Sequence, residues 1–165
     1  MIGNLPEKAY AVCFTGHRIL GDGERAQIDV KLSALISALV SRGTKLFITG
    51  GALGFDTCAA LSVLRARQTC RGVRLRLMIP CPDQDRYWTP ADRTVYSEIM
   101  KRADEKILVS PSYHRGCMLA RDRAMVDAAD LCVAWLRPDE TDGGTIYTVK
   151  YAEKHGVPVF NLYGS

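Results

Sequence analysis

The sequence predicts an α/β fold with a doubly wound, mostly parallel sheet and helices on both faces. Short β-rich apolar runs alternate almost strictly with segments of helical periodicity. Those runs are continuous rather than alternating, the pattern of strands covered on both faces. Glycine-bearing turns stand where several of the strands meet the next helix.

Tyr10 to Phe14 is the first strand, broken by Thr15-Gly16-His17-Arg18. Ile28, Leu32, Leu35, Ile36, Leu39 and Val40 recur at helical spacing, making 24–42 an amphipathic helix that Gly43 stops. That apolar face would serve a homo-oligomer as well as a core. Residues 45–49 form the second strand, 55–68 a small-residue helix, and 73–79 the third strand, closed by Pro80-Cys81-Pro82. Helix 89–102 and strand 105–109 follow. The loop 110–116 leads into a helix that runs to 128. Strand 130–136, helix 144–155 and strand 157–162 complete the chain. No repeat, linker or low-complexity segment divides it, so residues 1–165 read as one domain.

A chain of 165 residues buries enough surface to fold without disulfides. Its 47% hydrophobic and 24% charged content suits a soluble globular protein. The apolar runs are far too short for a membrane span. The opening MIGNLPEKAY lacks the basic-then-apolar pattern of a leader. A net charge of +4 is too mild to argue for nucleic-acid binding. The cluster Arg65, Arg67, Arg71, Arg74 and Arg76 reads as a solvated helix end and strand face, with an anionic partner as the rival reading. Six cysteines form no CxxC, and no histidine stands at a ligand spacing. The expectation is a cytoplasmic chain with reduced thiols and no metal site. Cys13 and Cys132 act as small hydrophobes in strands. Cys81 and Cys117 fall in loops, where a ligand-contacting role is open.

Ligands of such sheets bind beyond the carboxyl ends of the strands. The loops of interest are therefore 15–18, 49–56, 80–88, 110–121 and 137–145. In 49–56, Gly50, Gly51 and Gly54 precede a helix N-terminus, which fits a phosphate cradle and a plain tight turn equally. Asp56 would cap that helix, repel an anion, or hold a ribose hydroxyl. Gly143-Gly144-Thr145 opens a second helix, with Thr141 or Asp142 as its cap. Gly21 to Ala26 matches GxGxxA but lies too far from the first strand, and reads as a loop entering a helix. Asp122 interrupts an apolar stripe between Arg121 and Arg123. An internal Asp–Arg pair and an arginine on a ligand phosphate both account for it. His17 is the histidine best placed for acid–base work. Tyr87, Trp88 and Trp135 are candidates to stack on a base, although Trp135 suits the core.

Ordered segments carry a resemblance. They are Cys13 to Arg18, Thr49 to Asp56, Ile79 to Gln84 with Trp88, Gly116 to Asp127, and Asp142 to Thr145. Together they resemble the YpsA-like branch of the SLOG superfamily, whose relatives include the DprA/Smf proteins and the LOG phosphoribohydrolases. The resemblance implies a Rossmann-like fold and a nucleotide or nucleotide derivative, such as an ADP-ribose-like molecule, at the sheet's carboxyl edge. It implies a binding set of Gly16, Arg18, Gly50, Gly51, Gly54, Asp56, Arg121, Gly143, Gly144 and Thr145, to which the residue reading adds His17. The chain departs from LOG enzymes, since Thr148 stands where their catalytic Glu falls. It departs from DprA-like proteins at Arg121-Asp122-Arg123, where those carry Arg-Asn-Arg. Enzymatic turnover is therefore left open, with Asp56 as the candidate catalytic residue.

Overall fold

A computed structural model describes residues 5–165. It has strands β1 (Ala11–Gly16), β2 (Leu46–Thr49), β3 (Arg74–Ile79), β4 (Glu105–Leu108), β5 (Leu131–Trp135) and β6 (Val159–Asn161). The helices are α1 (Asp22–Ser41), α2 (Phe55–Arg67), α3 (Pro90–Arg102), α4 (Cys117–Asp127) and α5 (Gly144–Lys154), followed by a short 3-10 turn, Leu162–Gly164. The sheet order is β4-β3-β2-β1-β5-β6, and every pairing is parallel.

Side chains along the four inner strands alternate between two cores. Val12 and Phe14 of β1, with Leu75 and Leu77 of β3, pack against α1, α2 and α3. Ala11 and Cys13 of β1, with Cys132 of β5, pack against α4 and α5. The apolar stripe of α1, Ile28 to Leu39, lies wholly inside the first core. Trp135 is fully buried there too, stacked on Phe55 at 6.3 Å, so it is not available to a ligand. β4 departs from the expectation of strands covered on both faces. It is the sheet edge, where Ile107 and Leu108 are exposed. The final strand starts later than the sequence suggests because Pro158 lacks an N–H. It ends at Asn161, whose side chain accepts from the Tyr163 N–H.

Four of the five arginines of the 65–76 cluster, all but Arg71, are neutralised locally. Arg65 meets Asp29, Arg67 meets Asp104, and Arg74 and Arg76 share Glu105. Gly21 precedes α1, and the Glu24 side chain accepts from its N–H at 3.1 Å, so the GxGxxA match is a helix entry. No helix among the described residues is long and apolar enough to cross a membrane.

The chain runs β1 to β4 in one direction across the sheet and then returns to β5 beside β1. The loops after β1 and β5 therefore diverge, and a crevice opens between them at the carboxyl edge.

Candidate functional site

A cavity of about 450 Å³ occupies that crevice. Its wall contains Gly16, His17 and Arg18 from the end of β1, Asp56 from α2, Arg121 from α4, and Gly143, Gly144 and Thr145 at the start of α5. The structure thus gathers eight of the eleven sequence-predicted binding residues around one space.

Gly50, Gly51 and Gly54 do not line it; they shape the wall from behind. The Gly50 carbonyl accepts from Arg121 Nη1 at 2.7 Å and from Gln84 Nε2 at 3.2 Å. A Cβ at Gly50 would collide with the Arg121 guanidinium. Gly51 lies beside Tyr96 and Gln84. Gly54 has φ +77°, and a Cβ there would strike the backbone carbonyls of His17 and Arg18. The Phe55 N–H donates to His17 O at 3.0 Å, so the first donor of α2 binds the β1 loop. Gly54→Ala is expected to cost about 2 kcal/mol or more, from strain and from carbonyls that cannot step aside. Urea unfolding measures it; an unchanged midpoint would show that the β1 loop rides free of α2.

Asp56 is 7% exposed. Its Oδ2 accepts a long bond from the Ala52 N–H at 3.4 Å, and no cation lies within ion-pair distance of it among the described residues. Burial pushes its carboxyl up to about 6, against the pull of Arg121. A buried carboxylate without a close partner is costly, and sites retain such groups for work on a ligand.

Arg121 is 3% exposed, and its Nε donates to Asp122 Oδ1 at 2.7 Å. The internal Asp–Arg pair is therefore real. Nη2 makes no hydrogen bond to a described residue, and the Arg121 side chain lines the cavity. Arg18 lines the cavity exposed, with no hydrogen bond or ion pair to a described residue. His17 joins the two strand ends: its Nε2 accepts from the Arg137 N–H at 3.2 Å. Burial first, and then the Arg137 charge, lower its pKa, against the pull of Glu140, whose Oε1 lies 3.9 Å from His17 Nδ1.

Neither Thr141 nor Asp142 caps α5, which has no side-chain hydrogen bond at its N-cap. Among the described residues, the N–H groups of Gly144 and Thr145 have no protein acceptor, and both residues stand in the cavity wall. The start of α4 contributes Met118 and Leu119 to the same wall. Thr148 is buried and returns its hydroxyl to Gly144 O at 2.7 Å, a bond internal to α5. Among the described residues, no group of three or more His, Cys, Asp or Glu is arranged to hold a metal ion.

Sequence reasoning missed other parts of the wall. Asp122, Glu140 and Asp142 also face the cavity, and Asp122 and Asp142 lay within motifs already singled out. Behind it, Glu24 accepts from Trp135 Nε1 at 2.7 Å and from Arg137 Nη2 at 2.8 Å. These hydrogen bonds and the Arg137 charge hold the Glu24 carboxyl down to about 2. No spacing in the sequence signals that network, since its members are more than a hundred residues apart. Cys81 and Cys117 are both buried, Cys117 as the first residue of α4.

The UPF0398 protein BH1768 of Halalkalibacterium halodurans is 26% identical over 121 residues, covering 72% of this chain and 64% of that protein. The chain thus spans just under two thirds of that relative's length. The SPbeta prophage-derived protein YoqJ of Bacillus subtilis is 28% identical over 137 residues, covering 75% of this chain and 79% of the relative. Among solved structures, DNA processing protein A from Helicobacter pylori, studied for its single-stranded DNA binding mode, superposes with a TM-score of 0.64 at 19% identity. That match covers 92% of this chain and 64% of the other. TM1055, a structural genomics target, gives a TM-score of 0.59 at 16% identity, covering 90% of this chain and 71% of that one. At these identities the structures share the fold, a Rossmann-like α/β arrangement. A family model described as the YspA SLOG family (YpsA) matches residues 21–160, from the entry of α1 into β6. The chain belongs to the YspA SLOG family.

Proposed function

We propose that this protein binds a nucleotide or nucleotide derivative, with the ligand's phosphorylated sugar in the cavity between β1 and β5. One observation carries the reading. A buried carboxylate, Asp56, and an exposed cation, Arg18, neither with an ion-pair partner among the described residues, face the same space as the Arg121 guanidinium and the uncapped start of α5. A sugar phosphate offers hydroxyl donors for the carboxylate and an anion for the helix terminus and arginines. The family membership and the single-stranded DNA bound by the Helicobacter pylori neighbour support a ligand of nucleotide chemistry. The wall itself favours a small ligand over a strand. Four carboxylates, Asp56, Asp122, Glu140 and Asp142, face two arginines, and a polyanion gains little there.

The test is thermal unfolding against a panel of mononucleotides, dinucleotides and ADP-ribose. A ligand at a hundred times its dissociation constant adds about 2.7 kcal/mol of stability. Arg18→Ala breaks no internal bond and is expected to weaken that ligand about 10-fold or more, the loss of one charge-assisted contact. A panel without any shift on the wild-type protein overturns the reading.

The raised Asp56 pKa favours one chemical extension: hydrolysis of the N-glycosidic bond of a nucleoside monophosphate. Water would add to the anomeric carbon, and the base would leave with the bonding pair and a proton, giving ribose 5-phosphate. Ionised Asp56 would stabilise the positive charge that develops on the ribose. Chromatography of base release decides it: equal release by Asp56→Asn and wild type removes Asp56 from the chemistry.

A further inference from the structure

A second cavity of about 470 Å³ adjoins the first, and Arg18 and Met118 line both. We propose that this second cavity is the subsite for the ligand's aromatic base. The inference rests on the sugar-phosphate reading of the first cavity and adds what must be attached to that sugar.

The second cavity differs in chemistry from its neighbour. Tyr87, Trp88 and Tyr113 stand around it, together with Gln84. Tyr87 is 87% exposed and Tyr113 is 66% exposed, so core packing accounts for neither ring. Trp88 is held by an edge contact to Tyr96, with centroids 5.2 Å apart. The Arg86 guanidinium lies 5.2 Å from the Tyr87 ring centroid, a cation on one aromatic face. Exposed rings converging on a concave space offer π surface to a planar ligand.

Two further observations point to a ligand. Gln84 is 8% exposed, and its Oε1 is the one buried side-chain polar atom without a hydrogen-bond partner among the described residues. Its Nε2 is committed to Gly50 O and the Tyr96 hydroxyl, which fixes the amide as it stands. That oxygen is closed off from the cavity as the protein stands, so a base amino group would reach it only with a small shift of the Gln84 side chain. Arg18, unpaired, stands on the boundary between the cavities, where the phosphorylated sugar joins the base side. A hydroxyl-binding space and an aromatic one, meeting at a cation, match the parts of a nucleotide.

The probes are AMP, GMP, CMP and UMP against ribose 5-phosphate, titrated calorimetrically into wild type and into the double variant Tyr87→Ala/Tyr113→Ala. Both tyrosines are exposed, so the variant keeps its fold, which circular dichroism checks. The wild type is expected to bind at least one mononucleotide roughly 5- to 150-fold more tightly than ribose 5-phosphate, the span for one base–aromatic stack. The double variant is expected to lose most of that preference while its affinity for ribose 5-phosphate stays unchanged. A preference that survives in the variant, or a wild type that binds ribose 5-phosphate and mononucleotides equally, overturns the base subsite alone. A wild type that binds none of these probes overturns this subsite, and one that binds neither them nor the dinucleotides and ADP-ribose overturns the sugar-phosphate reading as well.

Discussion

Asp56→Asn stabilises the ligand-free protein at pH 8 by about 2 to 3 kcal/mol, and the gain shrinks towards zero by pH 4. The direction follows from a folded-state value of about 6 against an ordinary 3.8. Below the ordinary value the carboxyl is protonated in both states and burial carries no charge penalty. As pH rises through 6 the folded protein must ionise a buried group, and that stability is lost. Asparagine keeps the shape, can still accept from the Ala52 N–H, and never ionises. Denaturant unfolding of both proteins at pH 4, 6 and 8 reads the effect. A variant less stable than wild type by the same margin at every pH would mean that Asp56 is a structural ligand of its loop. A site residue that weakens its own fold at neutral pH is an expected mark of function.

Arg121→Ala has the opposite sign and the largest structural cost, about 3 kcal/mol or more. The guanidinium ties α4 to the β2 loop through Gly50 O and binds Asp122, while almost wholly buried. Removing it strands a partly buried carboxylate and takes a donor from a buried carbonyl. Arg121→Lys recovers little, because one ammonium cannot reproduce the planar fork. Arg121→Ala also raises the Asp56 pKa above 6, since the Arg121 charge is the strongest influence holding it down. Carbon-13 NMR of the Asp56 carboxyl follows that shift, and an unmoved titration would mean that the two groups do not share the cavity.

The architecture was legible because it depends on local pattern. The apolar runs at 46–49 and 131–135, and the stripe from Ile28 to Leu39, announce their periods within a few residues of chain. The site was legible in part for the same reason: chemistry in a doubly wound sheet gathers at strand ends, so Gly16 to Arg18 and Gly143 to Thr145 could be picked by position. Gly50, Gly51 and Gly54 were not resolvable that way. Whether a glycine cradles an ion or admits a neighbour depends on what approaches through space, and Gly50 O is met by an arginine 71 positions away. The bonds from Arg137 and Trp135 to Glu24 are equally long-range, as is the bond that His17 Nε2 accepts from the Arg137 N–H just beyond β5. Local patterning also reads Asp142 as a helix cap; the geometry instead leaves α5 uncapped at the cavity.

The space between β1 and β5 is proposed as the nucleotide site. A crystal structure of the wild-type protein grown with a mixture of mononucleotides tests it most directly. The prediction is sugar-phosphate density between Arg18, Asp56, Arg121 and Gly143 to Thr145, with the base against Tyr87 and Tyr113. A nucleotide bound elsewhere, for instance in the groove between α1 and α2 near Ser37 and Arg65, with this cavity holding only solvent, would contradict it.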